Sequence, residues 1–175
     1  MRRKRKLVFA NRLHGEGVKY YNPYQKKKLG ILEGEKNFFK DGYFSDGAYL
    51  IKTIKPKIKR EFKEESPDMK KFIKEVNDSV KGPAEIIAEL YDADNSLQED
   101  IVMAHVRSKD KSIEAFFNIK YIDSILTMYP TANIFIKDNQ STLLFKFGKA
   151  PVACVMPIRS PEFSEYIIKR MEKNK

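Results

Sequence analysis

Cysteine is nearly missing from this chain of 175 residues, and tryptophan is missing altogether. The single thiol, Cys154, makes no internal disulfide and assembles no thiolate metal site. No apolar run approaches the roughly 18–20 residues that a membrane-spanning helix requires. The opening Met1-Arg-Arg-Lys-Arg-Lys6 has the charge of a secretory leader, yet only Leu7-Val-Phe-Ala10 follows before Asn11 and Arg12, too short for the apolar part. Neither a Gly-x-x-x-x-Gly-Lys-Ser/Thr phosphate loop nor a Gly-x-Ser-x-Gly elbow is present. The two histidines, His14 and His105, stand outside any metal-ligand spacing, and Cys154 falls in an apolar run where a thiol is an inert small hydrophobe. The expectation is a soluble, cytoplasmic protein without catalytic residues, cofactor or metal. Acidic residues are plentiful in Glu61-Phe-Lys-Glu-Glu65 and Asp92–Asp100, so a nuclease holding a divalent metal on scattered carboxylates stays as an alternative. The Asp92-x-Asp94 opening is no calcium loop, because Leu97 and Met103 occupy the positions of its turn glycine and its bidentate glutamate.

What is abundant is apolar and basic. Hydrophobic residues make up 42%, with 12 Phe and 9 Tyr, enough for one packed core. The net charge of +10 lies entirely in the first third: residues 1–60 hold 17 Lys and Arg against 5 Asp and Glu. Such clustering draws anions and is the footprint of a nucleic-acid partner, or else simply a solvated, basic N-terminus. The residues expected to neutralise phosphates are Arg2, Arg3, Lys4, Arg5, Lys6, Lys26, Lys27, Lys28, Lys57, Lys59 and Arg60. Tyr20, Tyr21, Tyr24, Phe38 and Phe39 lie among them, as half-buried strand residues or as rings for stacking bases.

No internal repeat is visible. Residues 1–60 carry most of the glycine and read as short strands and turns, with a turn at Lys40-Asp41-Gly42 and a strand pair over Tyr43–Lys52 bent at Asp46-Gly47. Ser66-Pro67-Asp68 predicts a helix start with Ser66 as the cap, and Met69, Phe72, Ile73, Val76 and Val80 form one apolar stripe ending at Gly82-Pro83. Ala84–Tyr91 is open between helix and strand, and Asp92–Asp100 reads as an acidic loop. Strands are expected at Ile101–Arg107 and Ile113–Phe117. Asn118 then caps a second helix that buries Ile119, Ile122, Ile125, Leu126 and Tyr129. Three strands follow at Asn133–Lys137, Thr142–Phe147 and Val152–Met156, and Ser160-Pro161-Glu162 starts a last amphipathic helix with Phe163, Tyr166, Ile167 and Met171 on its apolar face. The class is α+β: a basic, strand-rich part over 1–60, an α+β part over 61–159 and a C-terminal helix over 160–175.

Within this order, Phe116-Phe-Asn-Ile-Lys-Tyr-Ile-Asp-Ser-Ile-Leu126, Asn133-Ile-Phe-Ile-Lys137 and Val152-Ala-Cys-Val-Met-Pro-Ile-Arg159 resemble the last half-domain of the bacterial DNA polymerase sliding clamp, the beta subunit of the replicative polymerase. That family has an Asn-x-x-Tyr-Ile/Leu helix start there and closes on Val-Met-Pro-Met/Leu-Arg. Upstream, Phe44-Ser45-Asp46-Gly47-Ala48-Tyr49-Leu50 is similar to the family's Ala-Thr-Asp-Gly-His-Arg-Leu turn, with Ala48 and Tyr49 in place of His and Arg. The resemblance covers about a quarter of the chain. A clamp subunit has three such domains and two subunits close a ring, whereas this chain has material for little more than one and runs sixteen residues past Arg159.

The resemblance implies a sliding-clamp-like domain of antiparallel sheets with two packing helices. It implies an apolar peptide pocket built from Ser45, Gly47, Leu50, Val155, Met156, Pro157, Ile158 and Arg159. The implied partners are double-stranded DNA, contacted without sequence preference, replication proteins bearing short linear motifs, and further copies of the chain if a ring is to form; no membrane is involved. A compact accessory protein of this kind could be carried by a mobile element. The rival within the same fold is a monomeric peptide-binding adaptor. The terminal helix packs on its own domain, on a second copy, or over the pocket.

Overall fold

The computed structural model describes residues 5–6, 20–21, 31–91 and 102–158. Arg5–Lys6 (β1) pairs antiparallel with Tyr20–Tyr21 (β2). The remaining strands of these residues are β3 (Phe38–Lys40), β4 (Tyr43–Ser45), β5 (Tyr49–Lys52), β6 (Gly82–Tyr91), β7 (Val102–Ser108), β8 (Glu114–Asn118), β9 (Asn133–Ile136), β10 (Leu143–Phe147) and β11 (Ala150–Val155). They form one antiparallel sheet in the order β3-β4-β5-β11-β10-β9-β6-β7-β8. Among the described residues two helices, α1 (Met69–Ser79) and α2 (Ile119–Met128), pack on it, so the architecture is α+β.

Local chemistry accounts for most boundaries. Asp41 and Gly42 both have positive φ, 54° and 79°, the geometry a two-residue hairpin needs to match the strand twist. At the next turn Asp46 Oδ1 accepts from the backbone N–H of Ala48 and Tyr49, and Gly47 sits at φ 92°. Helix α1 starts later than its sequence suggests. Asp68, not Ser66, is the cap, its Oδ1 accepting from Lys71 N at 2.9 Å. A carboxylate is the stronger acceptor for helix N–H groups, and Pro67 is left just outside the helix. Asn118 caps α2 as expected, accepting from Lys120 N at 2.9 Å. The ambiguous stretch after Gly82 is strand throughout, paired with β9 on one side and β7 on the other. The residues expected to form the acidic loop and the C-terminal helix lie outside the described residues.

Each helix is followed by an antiparallel three-strand meander, β6-β7-β8 after α1 and β9-β10-β11 after α2, and the two meanders join through β6 and β9. The helices cover opposite faces. Tyr43, Leu50, Leu144 and Cys154 pack with Met69 and Ile73 of α1. Their strand neighbours Phe44, Tyr49, Ile51, Leu143, Phe145 and Val155 pack in the larger core with Ile119, Ile122, Ile125 and Leu126 of α2. The sheet curls around α2, which touches β7 and β8 at one end of the strand order and also β11, four strands away from β7. Beyond β11, Ile158 N donates to Phe116 O of β8 at 3.0 Å, drawing the two ends of the curl together. Five consecutive residues of α2, Ile122 to Leu126, are buried as a result. No helix among the described residues is long and apolar enough to cross a membrane.

Candidate functional site

The turn at Asp46 and the end of β11 meet. β5 and β11 pair antiparallel with Tyr49 opposite Val155 and Leu50 opposite Cys154, and the ladder continues where Met156 N donates to Ala48 O at 2.9 Å. On the α1 side of this junction lies an apolar cavity of about 220 Å³. Ser45, Gly47 and Leu50 come from the β4–β5 hairpin, and Cys154 and Met156 from the end of the last strand. Phe38 of β3 closes one side, while Pro67, Met69 and Phe72 at the start of α1 form the other wall.

Four of the eight expected pocket residues therefore line the cavity: Ser45, Gly47, Leu50 and Met156. Val155 does not, because strand alternation points it at the α2 core, where it is fully buried. Pro157 and Ile158 are outside the lining, since the chain after Met156 turns toward β8. Arg159 lies outside the described residues. Sequence reasoning missed Phe38, Tyr49, Pro67, Met69, Phe72 and Cys154. The apolar stripe of α1 did contain Met69 and Phe72, but a stripe does not say which of its members stays uncovered. Phe72 is 37% exposed, whereas Met69 and Ile73 are buried.

Little in the cavity can form a new hydrogen bond. Ser45 Oγ already donates to Tyr49 O at 2.8 Å and accepts from Gly47 N at 3.1 Å. Burial pushes the Cys154 thiol far above its ordinary range, which keeps it protonated while the cavity is closed. Met156 is steadied by Thr142, whose hydroxyl donates to its sulfur at 3.3 Å. Such a site selects by shape and apolar burial, and methionine and phenylalanine at its rim suit it to several related ligands.

The basic residues divide differently. Lys57, Lys59 and Arg60 are exposed in the segment between β5 and α1. The backbone N–H groups of Lys59 and Arg60 donate to the Glu33 carboxylate at 2.9 and 3.2 Å, and Arg60 Nη1 donates to Gly34 O at 3.0 Å. Arg5 and Lys6 form β1, which lies beside β6. Arg2, Arg3, Lys4 and Lys26–Lys28 lie outside the described residues.

Among the described residues no group of three potential metal ligands is gathered. His105 is buried on β7, its Nε2 3.0 Å from Glu114 Oε2 and its ring stacked on Phe116. No family model, curated protein or solved structure matches this chain.

Proposed function

We propose that this protein is a non-enzymatic, sliding-clamp-like accessory factor of DNA replication or repair, working in the cytoplasm. It contacts duplex DNA through its basic residues without reading bases, and it recruits partners through the apolar cavity. The observation that carries this reading is the cavity itself, formed where the Asp46-Gly47 turn meets the strand ending in Met156. These are the two segments that resemble the clamp family's peptide-binding surface. Its occupant is a short linear segment of a replication protein bearing adjacent aliphatic and aromatic side chains. A volume of about 220 Å³ accommodates one or two such side chains, and with Ser45 already bonded, the lining rewards burial more than polar contact.

The test is fluorescence anisotropy with a labelled peptide carrying adjacent Leu and Phe residues, against the same peptide with both replaced by Ala. Binding of the first at micromolar concentration, lost on Ala replacement and in the Leu50→Asp protein, supports the pocket's role. Equal binding of both peptides removes it.

A further inference from the structure

The lip of the cavity is held from the far side of the sheet. Ser45 and Gly47 line the cavity, while Asp46 between them reaches toward α2. Its Oδ1 closes the turn by accepting from Ala48 N and Tyr49 N at 2.9 and 3.1 Å. Its Oδ2 accepts from the hydroxyl of Tyr121, on the first turn of α2, at 2.8 Å. The Tyr121 ring stacks on Tyr49 with centroids 4.7 Å apart, and the Tyr49 hydroxyl accepts from Leu32 N at 2.9 Å. Burial, reinforced by the neighbouring Asp46, raises the Tyr121 phenol well above its ordinary value, so it remains a donor at neutral pH.

The turn is complete without Tyr121, since Oδ1 alone satisfies both backbone donors. What the second bond adds is orientation. Gly34 lies close against Asp46, where an added Cβ would come within 2.8 Å of the Asp46 Cβ, whereas the space beside Gly47 is open, with nothing within 4 Å of a Cβ placed there. Ser45 and Ala48 fasten the lip to its own hairpin and to the end of β11, and the Tyr121 hydroxyl is the bond that ties it to α2.

We propose that Tyr121 is a positioning residue for the cavity: through Asp46 it fixes the Ser45–Gly47 lip and sets how readily the space above Cys154 opens. Whatever shifts the first turn of α2 then shifts the mouth of the cavity. The biological use of this coupling rests on the peptide-docking reading, but the coupling can be measured without any peptide. Cys154 is the only cysteine in the chain and lines the cavity at 1% exposure, so its labelling by a small thiol reagent under native conditions reports opening.

Tyr121→Phe keeps the ring and removes the hydroxyl. It is expected to speed Cys154 labelling about five-fold, the population change equivalent to one net hydrogen bond. Tyr129→Phe is the control. It removes a tyrosine bond of similar kind, to Lys52 O at 2.6 Å, away from the lip, and should leave labelling at the native rate. An unchanged rate in Tyr121→Phe overturns the proposal. So does acceleration in both variants in proportion to their loss of thermal stability, because labelling would then follow general unfolding. If Tyr121→Phe alone speeds labelling while no peptide binds, the tether stands and the docking reading falls.

Discussion

Leu50 and Cys154 face each other across the β5–β11 ladder and lie beneath the same cavity, so two residues more than a hundred positions apart define one apolar surface. His105 presents the opposite case, a polar side chain held in the dry interior. Burial lowers its imidazole below the ordinary value of 6.5, outweighing the pull of Glu114 in the other direction. The native protein therefore binds fewer protons at this site than the unfolded chain. The associated stability is fully present above about pH 6.5 and is lost as pH falls below it. Thermal melts should show the native protein losing more of its midpoint between pH 7 and pH 5 than His105→Gln; parallel losses would mean that His105 titrates alike in both states.

The two helices owe their ends to different chemistry. Asp68 and Asn118 each satisfy a backbone N–H that the helix cannot satisfy itself. Asn118→Ala should cost about 1 kcal/mol in urea unfolding, the usual loss for a neutral N-cap. A negligible effect would show that the β8–α2 junction is held by packing alone. The capped starts, the Asp41-Gly42 and Asp46-Gly47 turns and the stop before Pro130 are all legible in the sequence, because each depends on residues within a few positions of one another. The start of α1 is misread by two residues for the same local reason, since Ser66 and Asp68 both qualify as caps and only the folded backbone selects one.

For the molecule as a whole, the proposed DNA contact is electrostatic and must respond to salt. A basic protein that neutralises several phosphates loses affinity steeply as salt rises. Titration of a short duplex at several salt concentrations should give a clearly negative slope on logarithmic axes. Charge reversal at Lys57, Lys59 and Arg60 should make that slope shallower. A flat response in the native protein would contradict phosphate contact. The uneven distribution of charge is read from composition alone, but its spatial arrangement is not, because residues near in sequence need not share a face.

The division between what the residues dictate locally and what packing settles is clearest in β11. Turns and caps are built from short-range hydrogen bonds and backbone preferences, so their residues announce them. The run Val152-Ala-Cys-Val155 is apolar at every position because helices cover both faces of the sheet there, which erases the two-residue alternation that would tell inside from outside. Whether Cys154 or Val155 meets the cavity was settled by the pairing of β11 with β5, and the wall supplied by Met69 and Phe72 by the docking of α1. Both are long-range contacts, governed by how whole elements bury their apolar surface together.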